Sequence, residues 1–276
     1  MTIDAHHHLW KYTAAEYGWI TPEMPAIRRD FLPPDLEALM HFIGIDGTVA
    51  VQARQTLEET EWLLDLAAKH PIIRGVVGWV PLANVAGVKR HLEKYSQNRR
   101  FRGVRHVVQD EPDPRFLLRP DFNEGVKALL EYKLRYDILI FERHLPAAIQ
   151  FVDRHPKQTF VLDHVAKPRI KEKVIAPWDR NMRELAKRPN VYCKLSGMIT
   201  EADAAHWTPV DLQPYIHVAL EAFGPARLMY GSDWPVMLLA GSYERWYRTV
   251  QQAVAKLSQA EQDRIFGGTA VEAYGL

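Results

Sequence analysis

Two histidines near the start of the chain are spaced for joint chemistry. His6 and His8 follow the short run Met1-Thr-Ile-Asp-Ala and are separated by one residue. Side chains alternate between faces along an extended strand, so these two imidazoles project from one face and His7 projects from the other. Two neutral imidazoles on one face can bind a divalent ion or a polarised water.

Two further residues with ligand or acid–base side chains lie far along the chain. His164 ends the run Phe160-Val-Leu-Asp-His, and Asp233 lies within Tyr230-Gly-Ser-Asp-Trp-Pro. Taken singly, His164 could be a hydrogen-bonded core residue and Asp233 could cap a turn. Together with the first pair they supply three imidazoles and one carboxylate, the ligand set of a mononuclear divalent ion.

The elements that must bring these residues together are short apolar runs alternating with amphipathic stretches. The predicted strands cover residues 2–6, 46–52, 73–79, 102–108, 136–141, 160–164, 191–196 and 227–233. The predicted helices cover residues 33–43, 58–70, 85–95, 123–132, 145–155, 178–187, 212–223 and 243–257. The strands are nearly uninterrupted apolar runs, which indicates burial on both faces, as in a parallel sheet.

Eight β–α units predict an α/β protein, and that number favours closure into a (β/α)8 TIM barrel spanning residues 1–276 as a single domain. The length of 276 residues suits such a barrel, which typically needs about 250 residues. A doubly wound open sheet is the alternative fold. No Gly-X-Gly-X-X-Gly motif follows the first predicted strand to support a nucleotide crevice in such a sheet.

The composition narrows the classes of partner. The chain has 35 basic and 34 acidic side chains, which gives no basic surface for nucleic acid. No apolar run approaches the roughly 18 to 20 residues that span a bilayer, and the single cysteine, Cys193, cannot form an internal disulfide. We therefore expect a cytoplasmic protein with a small-molecule partner, and neither a nucleic-acid nor a membrane partner. A homodimer through the outer helices is compatible with a barrel, but no face is marked for one.

Polar residues cluster where the predicted strands end. In a TIM barrel those ends share one mouth, and the chemistry takes place there. The residues at these ends are His6, His8, Gln52, Arg54, Arg105, His106, Glu142, Arg143, Asp163, His164, Lys194, Ser196 and Asp233. The long polar and aromatic segment 11–29 is a candidate wall or lid over the same mouth.

Six segments of the chain carry recognisable motifs. They are Asp4-Ala-His-His-His-Leu-Trp10, Gly78-Trp79, Arg102-Gly-Val-Arg-His106, Leu162-Asp-His-Val-Ala-Lys-Pro168, Asn190-Val-Tyr-Cys-Lys-Leu-Ser-Gly197 and Phe223-Gly-Pro-Ala-Arg-Leu-Met-Tyr-Gly-Ser-Asp-Trp-Pro235. In this order they resemble the amidohydrolase superfamily, and more narrowly its amidohydrolase 2 branch of L-fuconolactonase- and L-rhamnonolactonase-like proteins. The resemblance covers nearly the whole chain.

The resemblance implies a distorted TIM barrel that hydrolyses a lactone or similar ester. The positions that match the family's metal-site pattern are His6, His8, His164 and Asp233. One divalent ion, zinc by its ligands, is therefore expected, although the branch includes members that work without any metal. Lys194 stands where many superfamily members carry a further histidine, and no bridging ligand for a second ion is evident.

The hypothesis for the activity is the opening of a sugar 1,4- or 1,5-lactone. Asp233 is predicted to deprotonate a water held by the metal or by the three histidines, among which His164 also counts as catalytic. Arg105 and His106 are predicted to polarise the lactone carbonyl. Indole faces and charged donors suit a polyhydroxylated ring, so the predicted substrate-binding residues are Trp10, Trp19, Arg54 and Lys194.

Three alternatives remain open. The arginines would also suit a carboxylated pyrone or a muconolactone as substrate. A metal-dependent decarboxylase of the same superfamily would use the same ligands on a carboxylated aromatic compound. A catalytically silent binding barrel is the third alternative, but its mouth would not need Asp233 together with three imidazoles.

Overall fold

A computed structural model describes residues 1–276 and contains one eight-stranded sheet. Its strands follow chain order from the first to the eighth, and each neighbouring pair is parallel. The strands are β1 Ile3–His7, β2 Gly47–Val51, β3 Ile73–Gly78, β4 Phe101–Val107, β5 Arg135–Leu139, β6 Phe160–Leu162, β7 Val191–Leu195 and β8 Leu228–Tyr230. The predicted barrel is confirmed, and each predicted strand is present within a few residues of its expected bounds.

One helix follows each strand and covers the outside of the sheet. These helices are α1 Pro33–Ile43, α2 Leu57–Lys69, α3 Val85–Ser96, α4 Pro120–Ala128, α5 Leu145–Asp153, α6 Trp178–Ala186, α7 Pro209–Phe223 and α8 Tyr243–Ala253. The first has the predicted bounds because Pro33 and Pro34 occupy its first turn and Gly44, in a left-handed conformation at φ 85°, ends it. No helix in the protein has both the length and the apolarity needed to cross a membrane.

Two helices at the end of the chain were not predicted, α9 Gln259–Asp263 and α10 Thr269–Tyr274, which are joined by a π-helical turn. The sequence does carry a signal for α9, because Ser258 and Glu261 form a capping box at its start. The last helix lies at the end of the barrel where the strands begin. Its residues Ala270, Ala273 and Tyr274 pack inside the barrel with side chains of β1, β2, β3, β6 and β8.

The barrel closes between β1 and the segment that follows β8. A single parallel bridge joins His7 to Trp234, and the amide of Asp233 donates to the carbonyl of His6 over 2.8 Å. The buried carboxylate of Asp4 adds to this seam by accepting from the Ser232 amide and the Tyr243 hydroxyl, each at 2.8 Å. Closure of the barrel therefore brings the histidines of β1 next to Asp233, more than 220 residues away in the chain.

Candidate active site

His6, His8, His164 and Asp233 converge at the end of the barrel where the strands finish. The Nε2 atoms of His6 and His8 lie 3.2 Å apart. From Asp233 Oδ1 the distances to the Nε2 atoms of His8, His6 and His164 are 3.4, 3.8 and 3.9 Å. All four side chains are almost completely buried. The structure thus brings together the four residues that the sequence selected as metal ligands.

The second nitrogen of each imidazole faces a protein group. The Nδ1 atoms of His8 and His164 lie 2.8 Å from the carbonyl of Val51 and 2.9 Å from Ser196 Oγ. The Nδ1 atom of His6 lies 3.3 Å from Asp163 Oδ1. A carbonyl or carboxylate beside Nδ1 favours a proton there, which leaves the Nε2 lone pair directed at the centre of the cluster. We assign the tautomers of His6 and His8 from this network.

The arrangement fits a single small divalent ion. Zinc–nitrogen and zinc–oxygen bonds of about 2.0 to 2.2 Å in a tetrahedron require ligand atoms roughly 3.3 to 3.6 Å apart. The three separations among His6, His8 and Asp233 run from 3.2 to 3.8 Å and bracket that requirement. His164 adjoins this set with its Nε2 atom 3.9 Å from Asp233 Oδ1. His7 is not part of this set, because its Nε2 atom points away and lies 3.0 Å from Thr48 Oγ1.

Burial sets the charge state of the cluster. It lowers the pKa of His164 to about 4 and that of His6 well below its usual value, so both imidazoles are neutral near pH 7. Burial alone would raise the pKa of Asp233, but His164, His8 and Lys167 more than offset it and the pKa is lowered. Neutral imidazoles beside an ionised carboxylate are the protonation states that a metal ligand or a general base requires.

An unusual backbone segment positions His164. The four residues from His164 to Lys167 all have positive φ, between 47° and 61°, so the chain makes one turn of left-handed helix after β6. Such a conformation costs roughly 1 to 2 kcal/mol per residue for L-amino acids and persists only where the surroundings enforce it. The indole of Trp178 donates to the carbonyl of Val165 over 2.7 Å, and Gly197 leaves room for the imidazole of His164.

A layer of buried charges lies directly beneath the cluster. Lys194 Nζ lies 2.6 Å from Asp137 Oδ2 and 2.8 Å from Asp163 Oδ1. Arg105 Nη1 donates to Asp163 Oδ2 over 3.0 Å. Although burial acts in the opposite direction, Lys194, His6 and Arg105 hold the pKa of Asp163 well below its usual value. The layer therefore contains ionised Asp163 in contact with the Nδ1 side of His6.

The assignment of Lys194 to substrate binding needs correction. Its side chain is fully buried and does not line the cavity. Its ammonium also lies 3.1 Å from His6 Nδ1, but its two carboxylate partners are closer. Lys194 therefore belongs to the support of His6, and from the sequence it could not be told from a residue that reaches the mouth.

Above the cluster the barrel opens into a cavity of about 860 Å³. The predicted residues that line it are His8, Arg54, Arg105, His164, Asp233 and the half-exposed Trp19. The 11–29 segment contributes Ala15, Glu16, Trp19 and Met24, so it forms one wall as expected. The cavity and the cluster share His8, His164 and Asp233, which makes the cluster its floor.

Two other predicted residues do not reach the cavity. His106 faces the outer shell of the barrel, where its ring stacks on Phe116 at 4.8 Å and its Nε2 atom lies 2.6 Å from Glu111 Oε1. Its neighbour Arg105 points inward, as alternation along β4 requires, so only one of the two can polarise a carbonyl. Trp10 is fully buried under the 11–29 segment and donates to the carbonyl of Arg29.

The sequence-based selection missed several polar residues of the site. Gln52 holds Arg105, accepting from its Nε through the side chain at 2.8 Å and from its Nη2 through the backbone carbonyl. Lys167 and Glu201 line the cavity after β6 and β7. Gln52 and Asp163 stand at predicted strand ends, so the sequence marked their position but not their role. Lys167 and Glu201 lie beyond those ends. Lys167 stands within the motif that ends at Pro168, but no pattern assigned a role to it or to Glu201.

Comparison with known proteins shows one matching family and two full-length relatives with the same name. A family model described as amidohydrolase matches residues 3–276. An L-fucono-1,5-lactonase of Burkholderia multivorans is 42% identical, with all of this chain and 96% of that protein covered. An L-fucono-1,5-lactonase of Burkholderia ambifaria is 38% identical, with coverage of 99% and 95%.

Among solved structures, an amidohydrolase of Burkholderia multivorans with bound zinc superposes with a TM-score of 0.97. The two proteins are 41% identical, and the match covers all of this chain and 99% of that one. The likeness thus extends over the whole barrel, including the segments around His6 and Asp233 that meet at the cluster.

Proposed function

Because this chain belongs to the amidohydrolase family, we propose that it hydrolyses a sugar lactone and that L-fucono-1,5-lactone is its substrate. The predicted family and lactonase class are confirmed by the family match and by the two relatives named L-fucono-1,5-lactonase. The observation that carries the proposal is the convergence of three imidazoles and one carboxylate at the floor of the cavity.

The charges of the cavity wall favour an uncharged substrate. Each cationic side chain of the lining faces a carboxylate: Arg54 lies 2.7 Å from Glu16, Arg105 lies 3.0 Å from Asp163, and Lys167 lies 3.8 Å from Glu201. A carboxylated pyrone or a carboxylated aromatic compound would need a cation whose charge is not already balanced by a neighbouring carboxylate. The wall therefore supports a sugar lactone over both alternatives.

An apolar patch on the wall suits one feature of the proposed substrate. Trp19, Met24, Val236 and Leu239 line the cavity together. L-Fucono-1,5-lactone carries a methyl group on the ring carbon next to the ring oxygen, and the ring carbons between that position and the carbonyl bear hydroxyls. Contact of the methyl group with this patch would leave the hydroxyls to the polar residues opposite, which are the side chains that usually fix a ligand's orientation.

His6, His8 and Asp233, with His164 adjoining Asp233, would hold one divalent ion, for which zinc is the first candidate because a solved relative carries it. When bound, such an ion polarises a carbonyl oxygen and lowers the pKa of a coordinated water. Imidazole orientation does not depend on the ion, because Asp163, Val51 and Ser196 fix the three rings from behind. Without the ion, the Nε2 atoms of the three histidines and the carboxylate of Asp233 would hold a water.

Asp233 acts as the general base in this proposal. Its ionised carboxylate takes a proton from the attacking water, whose oxygen forms a bond with the lactone carbonyl carbon. The ring carbon–oxygen bond then breaks, and protonated Asp233 returns the proton to the leaving ring oxygen, which gives the open hydroxy acid. Arg105 has one N–H group, on Nη2, left beyond those that face Asp163, Gln52 and His6, and it can stabilise the carbonyl oxygen as charge develops on it.

The test is a panel of lactones, a carboxylated pyrone and a dihydroxybenzoate, followed with a pH indicator and by substrate absorbance. We expect acid release from L-fucono-1,5-lactone and no consumption of the two carboxylated compounds. Turnover of a carboxylated compound without acid release from any sugar lactone would contradict the proposal. Elemental analysis of the same sample decides the metal, with one zinc per chain as the expected result.

A further inference from the structure

Lys167 and Glu201 form a pair on the cavity wall that the mechanism above does not use. Lys167 ends the left-handed turn that begins at His164, and Glu201 lies in the segment after β7. Both residues line the same cavity as His8, His164 and Asp233. Their side chains are only 18% and 24% exposed, so they are held at the wall and do not extend into bulk water.

The geometry of the pair leaves room for a ligand. Lys167 Nζ and Glu201 Oε1 are 3.8 Å apart, which is longer than a direct hydrogen bond. The ammonium lies 5.4 Å from the ring centre of Phe141, which limits where it can move. A fixed donor and a fixed acceptor, close together but not saturated by each other, match two neighbouring hydroxyls, because each hydroxyl can both donate and accept.

The backbone around the pair is built to present it. Lys167 could avoid the cost of positive φ in an ordinary turn, yet its amide is fixed to the carbonyl of His164 by a 2.8 Å hydrogen bond. The carbonyl of Glu201 accepts from the amide of Lys171 over 2.9 Å, which ties the two loops together. The turn that places His164 in the cluster therefore places Lys167 at a set distance from it.

We propose that Lys167 and Glu201 bind two adjacent ring hydroxyls of the lactone and so determine the specificity for a polyhydroxylated ring. The ammonium donates to one hydroxyl, and the carboxylate accepts from the other. The inference rests on the proposed lactonase function. A site built to bind hydroxyls discriminates against a ring without them, because its buried polar groups are then left unpaired.

The experiment compares two lactones and three variants. Lys167→Met, Glu201→Gln and the double variant are assayed with L-fucono-1,5-lactone and with δ-valerolactone, the six-membered ring without hydroxyls. For the sugar lactone we expect each single variant to lower kcat/KM on the order of 10- to 100-fold, mainly through KM. We expect the double variant to fall little further, because the pair acts as one unit.

The δ-valerolactone measurement separates recognition from damage to the reaction centre. The charge of Lys167 also lowers the pKa of Asp233, so an effect through Asp233 would reduce turnover of both lactones. Lys167→Arg keeps the charge and the donor, so we expect its KM for the sugar lactone to lie between those of the wild type and Lys167→Met. Lys187→Met removes an exposed lysine that pairs with Glu184 on the outside of the barrel, and it serves as the matched control.

Binding of 1,5-anhydro-L-fucitol, a ring with the hydroxyls but no ester, is measured by calorimetry on the same proteins. This arm is independent of hydrolysis, so it tests the pair even if no lactone is turned over. Weaker binding of the anhydro sugar to Lys167→Met and Glu201→Gln, with normal binding to Lys187→Met, supports the proposal. Unchanged binding, or equal losses of kcat/KM on both lactones, would overturn it.

Discussion

The inside of the barrel has two layers that are built on opposite principles. The lower layer, to which α10 contributes, is apolar. It consists of Ile3, Ala5, Val49, Val51, Val77, Val161, Met229, Ala270, Ala273 and Tyr274. The upper layer, beneath the reaction centre, consists of Arg105, Asp137, Asp163 and Lys194, all nearly or fully buried. Both layers fill space within the same eight strands.

The difference separates stability from positioning. Burial of apolar side chains contributes roughly 25 cal/mol per Å² and needs no partner of a particular geometry. Buried charges cost desolvation free energy, which their mutual attraction offsets only where every partner is in place. The upper layer is therefore a poor means of adding stability. What it adds is Asp163 beside His6 Nδ1, which directs the opposite nitrogen of that ring toward the reaction centre.

One side chain connects the two layers. Tyr274 belongs to α10 and packs with the lower layer, but its hydroxyl donates to Asp137 Oδ2 over 2.6 Å. The same oxygen lies 2.6 Å from Lys194 Nζ. Helix α10 at the base of the barrel is thus connected to the charges that support the cluster through Tyr274, Asp137 and Lys194.

The largest expected effect on stability comes from Lys194→Met. This substitution leaves Asp137 and Asp163 without their shared cation inside the barrel. Breaking a buried ion pair in this way typically costs about 3 to 5 kcal/mol. Urea unfolding measures the loss, and the exposed Lys187→Met variant should lie within about 1 kcal/mol of the wild type. Equal stability of the two variants would mean that the upper layer is not a coupled charge network.

Met229→Ala tests the lower layer in the opposite sense. Met229 is fully buried among apolar side chains, and its truncation is expected to cost about 2 to 5 kcal/mol of unfolding free energy. Because Met229 neither lines the cavity nor contacts the clustered residues, kcat should stay at the wild-type value at a temperature where both proteins are folded. A matching loss of kcat would show that the two layers cannot be separated.

Gly197→Ala is expected to reduce the rate more than the stability. A Cβ at this position would lie 2.5 Å from His164 Nδ1, and the φ of 61° already disfavours alanine. Displacement of a reacting group by about 1 Å can cost roughly 100-fold, so we expect a loss of that order in kcat/KM. Gly18→Ala is the control, since an added Cβ there meets nothing closer than 4.0 Å. Equal rates for both variants would contradict this role of Gly197.

The smallest effect concerns a buried carboxylate outside both layers. Glu59 accepts from the amides of Ala53 and Arg54 at 2.9 and 2.7 Å, and burial raises its pKa from 4.5 to about 7. A raised acidic pKa means that the folded state holds the proton more tightly, so stability falls as the pH rises toward and through 7.

Between about pH 5 and about pH 8 the contribution of Glu59 to the free energy of unfolding should fall by about 2 kcal/mol, which makes the folded state less stable. Glu59→Gln cannot lose a proton, so its unfolding free energy should fall less over that range. The difference between the two proteins isolates Glu59 from other buried acids such as Asp4, whose pKa is raised to about 6 by burial. Parallel pH curves for the two proteins would refute the assignment.

The sequence predicted the barrel because buried parallel strands carry continuous apolar runs, and turn residues such as Gly44 end the helices between them. It also selected the clustered residues, since strand ends in a barrel share one mouth. It could not separate Arg105 from His106, because the register of β4 decides which of two adjacent side chains points inward. It could not show that Lys194 lies beneath the cluster, since depth along a strand depends on how the barrel closes.

We propose that Asp233 removes the proton from the attacking water at the point where His6, His8 and His164 meet. Asp233→Asn keeps the size of the side chain and removes its basicity, so kcat on L-fucono-1,5-lactone is the most direct measurement. We predict a fall of roughly 10²- to 10⁴-fold with an unchanged far-ultraviolet circular dichroism spectrum. Turnover at the wild-type rate by this variant would contradict the claim.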